Sequence, residues 1–422
     1  MSAGVRYCLK GKRKVDSVSI VKITSAVALN REHLARLKVS LKMLAQTKGT
    51  TEKLVTAAFF ASCLIVFSLT TATNFVSRRL LLEDNRLAAD CQFHVSDLAG
   101  FSKDFEKYFN DRLGFRERLI ACRNLVKVKV FKVSASSDVL IGKDGYLFCS
   151  SKGGDQGLLH GSPLFSEQDL ANWKSLLEKR ARWCRNNGMD YLFVLAPGKV
   201  SIYRELLPSP FNKTIPMTRT DQLIAFLRKT KSPVQSIDLR ETLRAGKGSW
   251  PLYLKTDTHW NQLGAYYAYC AIINKLKAMH QPIASPVPID NFRVVPYIFT
   301  KGDLARLEGL LGILTEDNIA VNRKSTPPWA IVKYPLCFCN KYGVKDTTPF
   351  YCESPKSKSL KALMFRDSFA SPLAELYLPE HFSKISFYWQ PDFSEQIVSR
   401  EKPNIVIQEA LETCLYGDIP PA

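Results

Sequence analysis

From residue 166 onward the chain alternates helix-period segments with short apolar runs, and nothing else in the sequence limits the fold as much. Residues 167–187 repeat apolar side chains at helical spacing and close on Gly188, and residues 191–195 form an apolar run that ends at Ala196-Pro197-Gly198. Further helices are expected over 220–229 and 264–279, and further strands over 234–239, 362–365, 385–388 and 405–407. Strands that are apolar throughout are buried on both faces. Alternation with helices then implies an α/β domain with a mostly parallel sheet, helices on each side in three layers. Sites on such sheets lie beyond the carboxyl ends of the strands. That rule selects the loop after Leu195, the stretch from Leu239 to Asp257, and the turn after Phe365.

Residues 54–77 hold no charged side chain, and about 20 such residues cross roughly 30 Å of hydrocarbon as a helix. The run reads as a single transmembrane signal anchor; a cleaved signal peptide fits less well, because the segment before it is far longer than an ordinary n-region. Residues 1–53 carry twelve Lys or Arg against three acids, which puts the N-terminus in the cytoplasm and the remainder outside, although Arg78 and Arg79 weaken that bias. This first segment is either a basic cytoplasmic tail or the product of an upstream start, with Met43 as the true one. Residues 78–165 then link the anchor to the core. They include amphipathic helices over 101–131 that pack on the main domain and a hairpin over 139–148 turning at Lys143-Asp144-Gly145. Residues 166–422 form the main domain, interrupted at 281–356 by a proline-rich stretch without regular period that shapes one wall of the site.

With 46% apolar and 23% charged residues the chain has the composition of a folded protein. Its net charge of +20 invites a nucleic-acid reading, but no recognition module accompanies it, and no nucleic acid is expected as partner. Eleven cysteines are an odd number; Cys337, Cys339 and Cys352 cluster without a nearby histidine, so a local disulfide or buried thiols fit them better than zinc. No cofactor motif and no compact ligand set is present, so neither a cofactor nor a metal is expected.

Two short motifs carry the chemistry. In Phe365-Arg366-Asp367-Ser368-Phe369 a serine stands on the turn after a buried strand, where its hydroxyl and nearby N–H groups face one space. Alone, Asp367 or Ser368 serves equally well as a helix cap. In Asp257-Thr258-His259-Trp260 an extended backbone puts residues i and i+2 on one side, so the Asp257 carboxylate can orient the His259 imidazole while its other nitrogen reaches a nucleophile. Of the other five histidines, His33 and His94 lie before or near the anchor, His160 and His280 lack a local acid, and His381 sits at a helix end.

These motifs, with 109–116 (FNDRLGFR), 141–148 (IGKDGYLF), Ala196-Pro197-Gly198-Lys199 with Tyr203, Gly264, and Gly302-Asp303-Leu304, resemble the alginate O-acetyltransferase family of the AlgX and AlgJ type. The resemblance runs from about residue 105 to 407. It implies an SGNH hydrolase-like domain with Ser368 as nucleophile and an Asp257–His259 dyad. It also implies exopolysaccharide hydroxyls as acceptors, acetyl groups delivered by a multi-span membrane acyltransferase, and a catalytic domain held at the bacterial inner membrane facing the periplasm or exterior. Arg366 departs from the pattern, standing where many such enzymes have glycine before Asp-Ser; it either crowds the turn or faces a polyanion. Tyr203, Lys199, Arg366 and Trp260 are the candidates for substrate contact, although packing or solubility is the simpler role for Lys199. The same three catalytic groups would also serve an acetyl-esterase, and a non-catalytic glycan-binding scaffold would keep the fold without the rate.

Overall fold

The computed structural model describes residues 50–75, 80–81, 86–87, 98–112, 115–151, 155–161, 163–213, 217–279, 283–333, 349–354, 360–390, 392–417 and 419. The chain divides into two compact units, one of residues 1–77 with 112–115 and the other of 78–111 with 116–422.

The second unit is built on a seven-stranded sheet: β1 (Asp190–Ala196), β2 (Gln235–Asp238), β3 (Ala330–Lys333), β4 (Phe350–Glu353), β5 (Lys361–Arg366), β6 (Lys384–Trp389) and β7 (Ile405–Leu411). Its order is β2-β1-β7-β5-β6-β4-β3. The five strands from β2 to β6 run parallel, while β4 and then β3 add antiparallel at one edge. Successive side chains of a strand point to opposite faces, and the sequence uses both. Leu192, Val194, Met364 and Ile407 enter a core with helix α3 (Gln262–Met279), whereas Tyr191, Phe193, Leu363 and Val406 enter a second core. Helices α1 (Glu167–Asn186) and α2 (Arg219–Lys229) cover that second face with Trp173, Leu177, Leu223 and Leu227. Both begin with a capping box, Ser166 with Asp169 and Thr218 with Asp221, and Gly188 supplies the positive φ that ends the first of them.

The expected hairpin is present with Val139 opposite Cys149, and the stretch over 101–131 forms helices Leu98–Arg112 and Arg116–Val126 followed by a turn of π-helix, Lys127–Phe131. Val128 packs with Val139, Leu147 and Leu304 in a third, smaller cluster. The proline-rich stretch is more regular than its sequence suggests. It contains an antiparallel hairpin, Phe292–Phe299 with Glu316–Arg323, whose connection carries the short helix α4 (Asp303–Leu307), and it supplies β3 and β4. Prolines interrupt a period without preventing pairing at a sheet edge. Cys337 and Cys339 lie outside the described residues, while Cys352 is a buried free thiol on β4.

The membrane anchor needs correction. The uncharged run falls on the helix Thr50–Phe75, yet among the described residues no helix is long and apolar enough to cross a membrane. The single transmembrane helix is therefore corrected. So are the membrane anchoring, the single-pass inner-membrane placement and the multi-span membrane partner, which all presuppose a chain fixed in a bilayer. The basic segment 1–49 lies outside the described residues.

Gly264, in the first turn of α3, sets how closely that helix approaches the loop before it: a Cβ there would lie 2.3 Å from the Leu252 carbonyl oxygen and 2.9 Å from Trp260 Cβ. Overpacking of this kind costs about 1–3 kcal/mol. Gly264→Ala should therefore lower stability by about that amount in chemical denaturation, and an unchanged midpoint would refute the packing account.

Candidate active site

The site lies beyond the carboxyl ends of β1, β5 and β7. At the end of β5 the chain turns through Asp367 and Ser368, and Asp367 fixes the turn. One of its carboxylate oxygens accepts the Phe369 N–H at 2.8 Å, the other accepts the Leu411 N–H at the end of β7 at 2.8 Å, and its own N–H donates to Glu409 Oε2 at 3.0 Å. The capping role that Asp367 or Ser368 could each have filled thus goes to Asp367. The Ser368 hydroxyl points elsewhere, to His259 Nε2 at 2.8 Å.

His259 sits on a loop closed at its base by a bridge between Tyr253 and Trp260 and by the Leu254 N–H donating to the His259 carbonyl at 3.1 Å. Residues 255–259 are bent, not extended. Asp257 meets His259 by folding back: its Oδ1 accepts the His259 N–H at 3.0 Å and lies 2.6 Å from His259 Nδ1. The pairing read from i, i+2 alternation is present for a different reason, an Asp side chain satisfying the N–H two residues on, as in an Asx turn. Asp257, His259 and Ser368 form one hydrogen-bonded chain spanning segments 109 residues apart.

The loop is held from outside by two acids, Glu316, which the sequence reading did not name, and Asp303, which it named only within the Gly302-Asp303-Leu304 motif and gave no role. Glu316, on the hairpin, accepts the N–H groups of Lys255 and Thr256 and the Thr256 hydroxyl, at 2.5, 2.8 and 2.7 Å. Asp303, at the start of α4, accepts from Thr258 and donates its N–H to Asp257 Oδ2 at 3.0 Å. The signal for Asp303 was the glycine before it. A Cβ on Gly302 would lie 2.2 Å from the Thr256 carbonyl oxygen, so only glycine lets the two segments touch.

The four residues expected at the substrate are all buried, and their side chains meet protein instead. Lys199, 1% exposed, donates from Nζ to the carbonyls of Leu147 and Lys255 at 2.7 and 3.3 Å and lies over the rings of Tyr146 and Phe148. Burial lowers its pKa to about 8, against the opposing pull of Asp257 and Asp303. The Tyr203 hydroxyl accepts the Leu252 N–H at 2.9 Å, behind the same loop. Trp260 Nε1 donates to the Phe369 carbonyl at 2.8 Å and so ties the histidine loop to the serine turn. Arg366 neither crowds the turn nor faces solvent: its guanidinium stacks 4.6 Å from the Trp389 ring and donates to the Asp367 carbonyl and Ser371 hydroxyl. These side chains are buried and bonded to protein groups around the serine turn and the histidine loop.

Electrostatics favour an ionised Asp257. Burial alone would raise its pKa, but hydrogen bonds from His259 and the imidazole charge outweigh it and hold the carboxylate below its ordinary range. For His259 burial disfavours the charged ring, while Asp257, then Asp303 and Asp367, overcome that and raise its pKa above 6.5. Among the described residues Asp257, His259 and Asp303 also bring ligand-type atoms within 4.8 Å of one another. Those facing atoms are already joined to each other or to Thr258 by hydrogen bonds, the pattern of a proton-relay chain.

Residues 139–324 match the family described as "SGNH hydrolase-like domain, acetyltransferase AlgX", a span that includes Asp257, His259 and Asp303 and ends before Ser368. A curated relative, the "Probable alginate O-acetylase AlgJ" of Pseudomonas aeruginosa, is 29% identical over 170 residues, or 39% of this chain and 40% of that protein's length. Similar solved structures include PatB1 of Bacillus cereus, at 18% identity and a TM-score of 0.48 over 66% of this chain and 97% of that one. The O-acetyltransferase domain of Pseudomonas putida AlgJ follows, at 17% identity and a TM-score of 0.42 over 66% and 92%. On the two sequence matches, residues 139–324 are similar to the SGNH hydrolase-like domain of the AlgX and AlgJ type, and the chain spans less than half the length of the curated relative it matches.

Proposed function

We propose that this chain is a serine-dependent O-acetyltransferase that moves an acetyl group to hydroxyls of a polysaccharide. The observation that carries the reading is the unbroken chain from Asp257 through His259 to the Ser368 hydroxyl at the carboxyl edge of the sheet, with contacts of 2.6 and 2.8 Å. In the first half-reaction His259 Nε2 takes the Ser368 proton as Oγ bonds to the acetyl carbonyl carbon. The same imidazolium then returns that proton to the departing group of the donor, leaving an acetyl-serine. In the second half His259 takes the proton of a sugar hydroxyl, whose oxygen attacks the ester, and Ser368 leaves with the proton restored. Asp257 stays ionised throughout and holds the ring in the tautomer with its proton on Nδ1. Negative charge on the tetrahedral oxygen is met by the Ser368 N–H, for which the described residues provide no competing acceptor. A donor of this kind is typically worth about 3 kcal/mol.

Hydrolysis is the second reading, favoured by one observation: the His259 side chain is 29% exposed, so water reaches the base. The two readings part at the acyl-enzyme. A transferase discharges it faster when an acceptor glycan is added, and an esterase discharges it to water at one rate with or without glycan.

Removing either reacting group should abolish turnover without unfolding the chain. Ser368→Ala and His259→Ala are each expected to lower the rate of acetyl transfer by about 10⁴-fold or more, with thermal midpoints close to the parent's. A His259→Ala protein retaining near-normal turnover would remove the assigned base.

The pH dependence has a definite sign. The reaction needs neutral His259, and the folded site raises that pKa above 6.5. Activity should therefore rise with pH through a midpoint above 6.5, and Asp257→Asn, which removes the main stabiliser of the charged ring, should move that acid limb to lower pH while cutting the maximum. An acid limb that stays put in Asp257→Asn would show that another group titrates.

A further inference from the structure

Helix α4 meets the catalytic loop through its first residue in three separate ways. Asp303 Oδ1 accepts the Thr258 N–H at 2.8 Å, Oδ2 accepts the Thr258 hydroxyl, and the Asp303 N–H donates to Asp257 Oδ2 at 3.0 Å. The helix adds a fourth contact, the Ala305 N–H on the Thr256 carbonyl at 3.0 Å, and Gly302 permits the approach. Every one of these bonds lands on the three residues immediately before His259. The same carboxylate lies 3.9 Å from His259 Nδ1, so the ring faces a second acid in addition to its hydrogen-bonded partner.

We propose that Asp303 is a positioning residue of this site: its backbone fixes the Asp257 carboxylate, its side chain fixes Thr258, and its charge favours the protonated imidazole. The kinetic consequence rests on the acetyl-transfer reading; the electrostatic one does not. An acid that only closed a turn would need the two Thr258 contacts and nothing more. Here the N–H of the same residue takes the outer oxygen of Asp257, leaving Oδ1 for the ring. That division of the two oxygens keeps the imidazole pointed at Ser368.

Three acids face His259: Asp257 from its own loop, Asp303 from α4 and Asp367 from the turn after β5. The buried Lys199 ammonium, from the segment after β1, opposes them from beneath the loop, where it interacts with Asp257 and Asp303. Removing the Asp303 charge leaves Asp257 and Asp367 against Lys199, so the protonated ring loses support without losing its hydrogen bond.

The test is an NMR titration of the imidazole carbons in the full chain, with the His259 signal identified by its loss in His259→Gln. In Asp303→Asn the His259 midpoint is expected at lower pH than in the parent, while the other five histidines keep their shifts. Asp303→Ser, which leaves an oxygen acceptor without the charge, should move it the same way if Asn is not tolerated. Thr258→Val, which removes the hydroxyl's bond to Asp303 and its 3.3 Å contact with His259 Nδ1 but keeps the Asp303 charge, should move the midpoint less than Asp303→Asn does. With an acetyl donor and an acceptor glycan, kcat in Asp303→Asn should fall about tenfold to a hundredfold with little change in KM, as for misplacement of a reacting group. A His259 midpoint unmoved in both folded Asp303 variants overturns the proposal. Parent protein that titrates as expected but never turns over would instead count against the acetyl-transfer reading, and the shift in the variants would still support the role of Asp303.

Discussion

In the proposed reaction His259 relays protons, and an imidazole doing so must be held at both nitrogens at once, a demand that the contacts around this site meet. His259 Nδ1 is committed to Asp257 and Nε2 to Ser368, yet serine and histidine come from segments 109 residues apart. A misplacement of about 1 Å between such groups can cost a hundredfold in rate. The fold therefore spends many of its polar contacts on two short pieces of backbone. The serine turn is fixed by Asp367 to β7, the histidine loop is fixed by Glu316 and Asp303 to the hairpin and α4, and Trp260 ties the two together.

Burial gives these contacts their strength and sets the protonation states. In a partly dry site a carboxylate beside an imidazole stabilises the charged ring more than it would in water. Asp257 stays ionised because the ring donates to it, and His259 gains basicity from three surrounding acids despite its own burial. Farther back, Glu409 is fully buried on β7 and its pKa is pushed well above the ordinary carboxylate range, first by burial and then by the nearby Asp367 charge. Lys199 supplies a buried cation under the loop, held by two backbone carbonyls and two aromatic faces instead of by one acid.

How much of this could be read from the sequence depended on which physical signal each residue left. Strands such as 191–195 and 405–407 were legible because burial on both faces leaves an uninterrupted apolar run, and α1 because its Ser166 cap and Gly188 stop bracket a helical period. The antiparallel edge strands β3 and β4 left no comparable trace, being short and set among prolines. Ser368, His259 and Asp257 were legible as candidates from their place beyond strand ends, although the bent loop that pairs Asp257 with His259 was not. The surroundings of Lys199, Arg366 and Trp260 were not legible for one shared reason: the carbonyls and rings that enclose a polar or aromatic residue at a strand end come from other parts of the chain. Hydropathy over 54–77 likewise registered an apolar run, whereas among the described residues no helix is long and apolar enough to cross a membrane.

The central claim is that Ser368 is the nucleophile that the Asp257–His259 pair activates. Folded chain treated with a serine-directed fluorophosphonate and digested for mass spectrometry tests it most directly, because the adduct marks the attacking oxygen itself. The account predicts a single modified peptide with the phosphonyl group on Ser368, absent in Ser368→Ala and much reduced in His259→Ala. Labelling that survives in Ser368→Ala, or folded parent chain that takes no label at Ser368, would contradict it.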